Sequence, residues 1–452
     1  MSDTITETKP AAPAMKAAST RAFSTNIALT LGARLIMLGA GLAASVIAAR
    51  KLGREAFGFL AVLNVIVALA VQIGSAGLPS ANTYFLSRDQ NRLRQIAIMS
   101  LKFGLIAGTA LTVAVVFLAR FRPSIFGEIP FKLVVIAAIA IPFPLLMLLG
   151  LNVFLAIGDI DRMNIFDAAN QVVLLLNAVF VLLLINGNLQ TLVVANTVGV
   201  AVIALAVVVM LWKTIGRLHH AAPEPNLFRQ MLQYSLKFQI SVVAGIVILR
   251  ADLLLVNHFR GGDEAGPYAV ASQIGNLLLL LPGIIATLLF PRVAAAEDAK
   301  GHFTSRVTRY SALIMLLASL AAVAFSFALP IIYGQQFREA TTLLLILLPG
   351  LYLLGIESVM VQHFTGTGLP ALVPVFWIIT VLFNITANLV FIPMFGARAA
   401  AITSSLTYGL IFVLVAIYFR RKTGNKLTHA LLIKWSEVSE LPSLVRFGLF
   451  PR

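Results

Sequence analysis

The stretch VILRADLLLVNHFRGGDEAGPYAVASQ, Val247–Gln273, decides the fold. It carries Arg250 and Asp252 inside an apolar run, leaves that run through a Gly-rich acidic segment, and enters another at Gly266-Pro267-Tyr268. A charge at bilayer depth costs roughly 2.5–3.5 kcal/mol on insertion scales, so each such residue is a candidate for function. The segment after the charges also echoes an earlier one. Gly53, Glu55, Gly58 and Ala61-Val62 match Gly261, Asp263, Gly266 and Ala269-Val270, each pair 208 positions apart. An offset of about six spans preserves orientation, which predicts a parallel internal repeat about an axis along the membrane normal.

The rest of the chain has the same character. Of its 452 residues, 59% are apolar and 12% charged, and the mean hydropathy is +0.94. Lipid can cover that much apolar surface, whereas a soluble core of this size cannot. Spans of about 20 residues are expected near 26–49, 58–85, 96–119, 132–156, 164–186, 190–212, 233–257, 266–290, 310–333, 341–364, 370–393 and 398–419. The expected class is therefore an all-α polytopic membrane protein with about twelve transmembrane helices. Its parts are a cytoplasmic segment 1–25, a first six-helix unit 26–213, a cytoplasmic linker 214–232, a second unit 233–420 and a tail 421–452. Within the tail, 427–441 has the spacing of either an interfacial helix or an unstructured segment.

Most of the 34 Lys and Arg residues fall in the connections that are cytoplasmic if both termini are inside. Arg50, Lys51 and Arg54 run against that bias, and the repeat accounts for them. The net charge of +16 punctuates apolar segments and forms no continuous face, so it argues against nucleic acid. There is no cysteine, and the six histidines show no metal-ligand spacing. Residues 1–20 contain Asp3 and Glu7 and do not read as a signal peptide.

The intramembrane polar residues are Arg34, Asp167, Asn170, Arg250, Asp252, Glu357, Gln362, Asn384 and Asn388, while Lys102 and Lys237 lie near cytoplasmic ends and read as headgroup-reaching. Asp252 is two residues from Arg250 and so turns to another helix face. Pro142 with Pro144, Pro282 with Gly283 and Pro349 with Gly350 predict broken helices. Gly39-Gly41-Ser45 and Gly104 with Gly108 read as packing surfaces. No catalytic arrangement, ATPase-type phosphate loop or long outside loop is present, so the chain does not read as an enzyme.

Several motifs, in order along the chain, resemble those of the Wzx-type O-antigen and exopolysaccharide flippases of the multidrug/oligosaccharidyl-lipid/polysaccharide superfamily. They are Ala49-Arg50-Lys51-Leu52-Gly53 with Phe57-Gly58, Gly77-Leu78-Pro79, Leu249-Arg250-Ala251-Asp252, Gly266-Pro267-Tyr268-Ala269, Leu289-Phe290-Pro291-Arg292, Ile332-Tyr333-Gly334, Asn384 through Asn388, Ile392-Pro393 and Gly396-Ala397-Arg398. Pro267 departs from the pattern, and as a first helical residue it would be harmless. The resemblance implies two six-helix lobes around a central cavity and transport by alternating access in a bacterial inner membrane. Its cargo would be a polyprenyl-diphosphate-linked oligosaccharide for lipopolysaccharide or exopolysaccharide synthesis, with a polymerase and chain-length proteins as candidate partners and a Na+ or H+ gradient as candidate driving force. No cofactor or metal is implied. Arg34 and Arg250, from equivalent helices, would face each other and hold the diphosphate. Asn384, Asn388 and Gln362 would contact sugar, or else join helices. Asp252, Asp167 and Glu357 are ion-coupling candidates, or else structural. Two other classes stand beside this reading: a cation-coupled drug exporter, favoured by the three carboxylates, and a membrane glycan polymerase, disfavoured by the missing outside loop.

Overall fold

The computed structural model describes residues 20–216, 224–294, 298, 300–367, 370 and 372–431. The α-helices are α1 (Thr20–Gly74), α2 (Leu78–Arg88), α3 (Leu93–Phe121), α4 (Phe131–Ala140), α5 (Pro142–Ala156), α6 (Ile160–Ala178), α7 (Leu189–Ile215), α8 (Leu227–Leu278), α9 (Leu280–Ala294), α10 (His302–Ser326), α11 (Leu329–Tyr333), α12 (Glu339–Gly366), α13 (Leu372–Thr423) and α14 (Leu427–Leu431). No strand occurs among the described residues. Residues 217–223 of the linker and the tail beyond Leu431, with most of the 427–441 candidate helix, lie outside them.

Nine helices among the described residues are long and apolar enough to cross a membrane. Three of these stretches, Gly32–Gly74, Val242–Ala286 and Leu372–Thr423, run for 43, 45 and 52 residues. At 1.5 Å per residue each would be more than twice as long as a ~30 Å hydrocarbon core is thick. Each contains one glycine with non-helical angles: Gly53 (φ 82, ψ 175), Gly261 (φ 75, ψ −176) and Gly396 (φ 64, ψ −148). Only glycine takes such a conformation without a steric penalty. Each long helix therefore divides into two arms: α1 covers the expected span 26–49 and most of 58–85, α8 covers 233–257 and the first half of 266–290, which continues as α9 after a break at Leu279, and α13 covers nearly all of 370–393 and 398–419. The connections at 50–57 and 258–265, expected as short loops, are helical on both sides of a single glycine.

Two further differences from the expected spans, in the second and the tenth, have local causes, and so has the break expected at Pro142 in the fourth. The second span ends at Gly74, and the chain passes through Ala76 (φ 47) and Gly77 (φ 72) before α2 begins. The fourth span breaks between α4 and α5, where Pro142 withholds the N–H due to the Ala138 carbonyl, and Thr112 Oγ1 supplies a bond to that carbonyl at 2.8 Å. The tenth span, expected to break at Pro349, is one helix. There Ser405 Oγ donates to Ile346 O (2.5 Å), beside the carbonyl that Pro349 leaves without a donor.

Burial sorts the helices into inner and outer positions. In α12, 61% of the apolar window is inside the molecule; in α3 it is 11%, with Ile106, Val113, Phe117 and Phe121 left exposed for lipid. The largest apolar cluster joins α1, α8, α12 and α13, while a second joins α2, α3, α5 and α7. Between α1, α6, α7 and α8 the packing leaves a cavity.

Candidate functional site

The cavity has a volume of about 430 Å³. Both arms of α1 contribute, through Gly41 to Ala48 and Phe57 to Ala68, so the arms run side by side. The polar side chains around it are Ser45, Asn64, Gln171, Asn196, Arg250, Ser272 and Gln273, and Arg250 is the only charged residue among the described lining. Arg250 is exposed into this space and has no hydrogen bond or ion pair among the described residues. A guanidinium so placed offers five N–H donors in a planar fork, suited to the oxygens of a phosphate.

The end of the cavity at Gly53 and Gly261 is closed by α1 against α8, and the closure repeats itself at the sequence offset. Arg50 Nε donates to Ile332 O (2.7 Å), and 208 residues on, His258 Nδ1 donates to Ser124 O (2.5 Å). At the preceding positions the bonds run in opposite senses: Gln336 Nε2 donates to Ala49 O (3.3 Å), while Asn257 Nδ2 donates to Phe126 O (2.9 Å). Gly58 abuts the backbone of Gly262 and Gly266, and Gly266 abuts that of Arg54, so no Cβ fits at either glycine. Arg54 adds ion pairs to Asp263 (3.5 Å) and Glu339 (3.1 Å).

Pro267 is not at a first helical position. It lies six residues past Gly261, inside the second arm of α8, and lacks the N–H due to Asp263 O; Arg54 Nε donates to that carbonyl at 2.8 Å. The departure from the family pattern thus supplies an acceptor to the closure.

At the opposite end, the first arm of α8 is clasped to the break after α1. Ser235 Oγ donates to Ala76 O (2.7 Å) and Gln239 Nε2 to Gln72 O (2.6 Å). Tyr234 stacks on Tyr84 at 4.3 Å, with Arg88 over the outer face of the Tyr84 ring at 4.2 Å.

The expected site residues disperse. Arg250 and Asp252 sit two apart on α8 and form no hydrogen bond or ion pair with each other, although they are electrostatic neighbours. Asp252 is buried, accepting from Ser404 Oγ (2.7 Å) and from the Tyr268 hydroxyl, away from the cavity. Arg34 is exposed on α1 outside the cavity lining, with Asp167 of α6 as its electrostatic neighbour. The repeat register puts Arg34 opposite Val242 and Arg250 opposite Leu42, eight residues or about 12 Å apart along equivalent helices. Asn384 and Asn388 are fully buried between the arms of α13: Asn384 Nδ2 donates to Thr407 Oγ1 (3.1 Å), Asn388 Nδ2 to Asn384 Oδ1 (3.2 Å), and Thr403 Oγ1 to Asn388 Oδ1. Glu357 is buried in α12 with Oε1 unpartnered, and Gln362 lies on the same helix; neither lines the cavity.

The sequence reading missed Asn64, Gln171, Asn196, Ser272 and Gln273. Their signal was there, as amides and a hydroxyl at intramembrane depth, but the same residue types commonly join helices. Ser45 and Gly41 were read as packing residues and also line the cavity.

Comparison with known proteins agrees with this architecture. A family model described as polysaccharide biosynthesis protein matches residues 23–297. The probable low-salt glycan biosynthesis flippase Agl15 of Haloferax volcanii is 23% identical over 219 residues, covering 47% of this chain and 46% of that protein. The uncharacterized membrane protein MJ1068 of Methanocaldococcus jannaschii is 24% identical over 204 residues, covering 44% and 40%. The match therefore spans less than half the length of either relative. Among solved structures, the lipid II flippase MurJ in an inward closed conformation superposes with a TM-score of 0.73 at 14% identity, covering 94% of both chains. An inward-facing multidrug resistance MATE transporter of the MOP superfamily gives 0.69 at 16%, covering 86% of this chain and 94% of that one. With most of its length from the first helix through α9 matched by one family model, and its helices arranged as in MOP-superfamily transporters, the chain belongs to the polysaccharide biosynthesis protein family.

Proposed function

We propose that the protein is a flippase that carries a lipid-linked, phosphate-bearing oligosaccharide across the bacterial inner membrane for polysaccharide synthesis. The observation that carries this reading is Arg250: an unpaired guanidinium in a cavity whose other described polar residues are amides and hydroxyls. Its N–H fork suits phosphate, and amides suit sugar hydroxyls. A cavity of about 430 Å³ falls within the usual range for small-ligand sites, large enough for a phosphate and the first sugar while the lipid tail stays in the bilayer. Transport is by rocking of residues 26–213 against 233–420, with the α1–α8 closure and the α8–α2 clasp opening in alternation and both termini on the cytoplasmic side.

The drug-exporter alternative needs an acidic cavity. No carboxylate is among the described lining residues, and Arg250 repels an organic cation. Asp252, with hydroxyls of Tyr268 and Ser404 around it, is the coupling carboxylate of this proposal, ahead of Asp167 and Glu357.

The test is Arg250→Ala in the source cell, with lipid-linked glycan tracked by leaflet. Export is expected to fall at least tenfold at unchanged membrane levels, with glycan accumulating on the cytoplasmic leaflet. Normal export would remove the cavity from the mechanism, and drug sensitivity with normal glycan would favour the exporter.

A further inference from the structure

The cavity has two chemically different walls. The α8 wall presents Arg250, Ser272 and Gln273. Ser45 Oγ donates to Gln273 Oε1 at 2.7 Å, which engages one of that oxygen's two lone pairs and leaves the NH2 for the cavity. With the Arg250 fork, this wall is rich in donors and carries the only charge among the described lining residues, which is what a phosphate needs. The opposite wall presents Asn64 from the second arm of α1, Gln171 from α6 and Asn196 from α7. Asn64 and Gln171 keep both amide donors and acceptor unengaged among the described residues, and Asn196 Oδ1 accepts one bond, from Asn177 Nδ2 at 3.2 Å, keeping its second lone pair and its NH2, so this wall differs from the first in carrying no charge. Neutral groups that both donate and accept match sugar hydroxyls, which do the same, and give a phosphate only part of what it needs.

Building on the flippase reading, we infer that the cavity orients its cargo, with phosphate on the α8 wall and the first sugar on Asn64, Gln171 and Asn196, which set sugar selectivity. Arg250 and Gln273 bind the part common to all such lipids, and the three amides read the part that differs.

The test uses the full chain in nanodiscs and three probes: polyprenyl diphosphate, polyprenyl diphosphoglucose and polyprenyl diphospho-N-acetylglucosamine. Affinity ratios between probes are compared within each variant, so any loss of folded protein cancels. Arg250→Ala is expected to weaken all three about tenfold or more with their ratios unchanged, and Arg250→Lys to recover part of the loss. Asn64→Ala, Gln171→Ala and Asn196→Ala are each expected to shift the sugar-bearing to sugar-free ratio about three- to tenfold, as the loss of one or two hydrogen bonds would. If these variants leave the ratios at wild-type values while Arg250→Ala weakens every probe, the two-wall assignment is overturned and the flippase reading stands. If the wild type holds none of the probes, or Arg250→Ala binds them as the wild type does, both are overturned.

Discussion

Pro267 and Arg54 show how one residue's deficit becomes another's anchor. A proline within a helix leaves the carbonyl four residues back without its usual N–H partner. At Asp263, on the exposed connection, Arg54 Nε takes that place, and at Ala138, within the fourth span, Thr112 Oγ1 does so together with the Ile141 N–H. The ion pairs that Arg54 also makes are partly exposed and are worth little by comparison. A double-mutant cycle separates the two contributions. Arg54→Ala alone is expected to cost about 1–3 kcal/mol, as for a lost charge-assisted bond to a group left unpaired. In a Pro267→Ala background the restored N–H bonds Asp263 O within the helix, and the cost is expected to fall by about 1 kcal/mol. Thermal inactivation in detergent reads both steps, and equal costs in the two backgrounds would break the link between proline and arginine. Of these residues, the sequence showed Pro267 only as a departure from a pattern. Its partner lies more than two hundred positions away, and no local rule connects them.

At the scale of elements, glycine positions carried most of what could be read in advance. Gly53 and Gly261 were paired by sequence alone, and both are the left-handed points at which a long helix turns back. Spans were legible because lipid imposes a length and a composition. Side-chain direction was not legible for neutral polar residues, since an amide at bilayer depth serves equally to line a cavity or to tie two helices. Asn64 does the first, Asn196 does both, and Asn384 and Asn388 do the second. Equivalent helices also said nothing of level: Arg250 lines the cavity, while Arg34, eight residues out of register with it, is outside the described lining. The difference between the two kinds of amide is measurable. Asn384→Leu and Asn388→Leu are expected to destabilise the two arms of α13 by about 0.5–2 kcal/mol each, the range for interhelical hydrogen bonds in membranes. Export per molecule should hold in both. A fall in export at full protein level and unchanged thermal stability would place these amides in transport instead.

For the molecule as a whole, the first arm of α8 is the element on which the proposed alternation depends, because it is fastened to the first part of the chain at both ends. At one end Asn257 and His258 hold the 124–126 turn, and at the other Ser235 and Gln239 hold the carbonyls exposed by the break at Ser75–Gly77. The two fastenings differ in kind. At the first, Gly58 and Gly266 bring backbone against backbone, so closure there tolerates no added volume. At the second, side-chain hydroxyl and amide donors do the work and can be removed singly. Opposite substitutions should therefore open opposite ends. The chain has no cysteine, so Asn64→Cys gives a single thiol inside the cavity. With membrane-impermeant maleimide applied to sealed vesicles of either orientation, Gly58→Val is expected to raise labelling of that thiol about tenfold from the Gly53/Gly261 side alone. Ser235→Ala with Gln239→Ala is expected to raise it from the other side alone, by a smaller factor, since each bond contributes about 1 kcal/mol. Labelling that rises from both sides in either variant would mean that the ends are not independent closures, and that α8 leaves the first part of the chain as one piece.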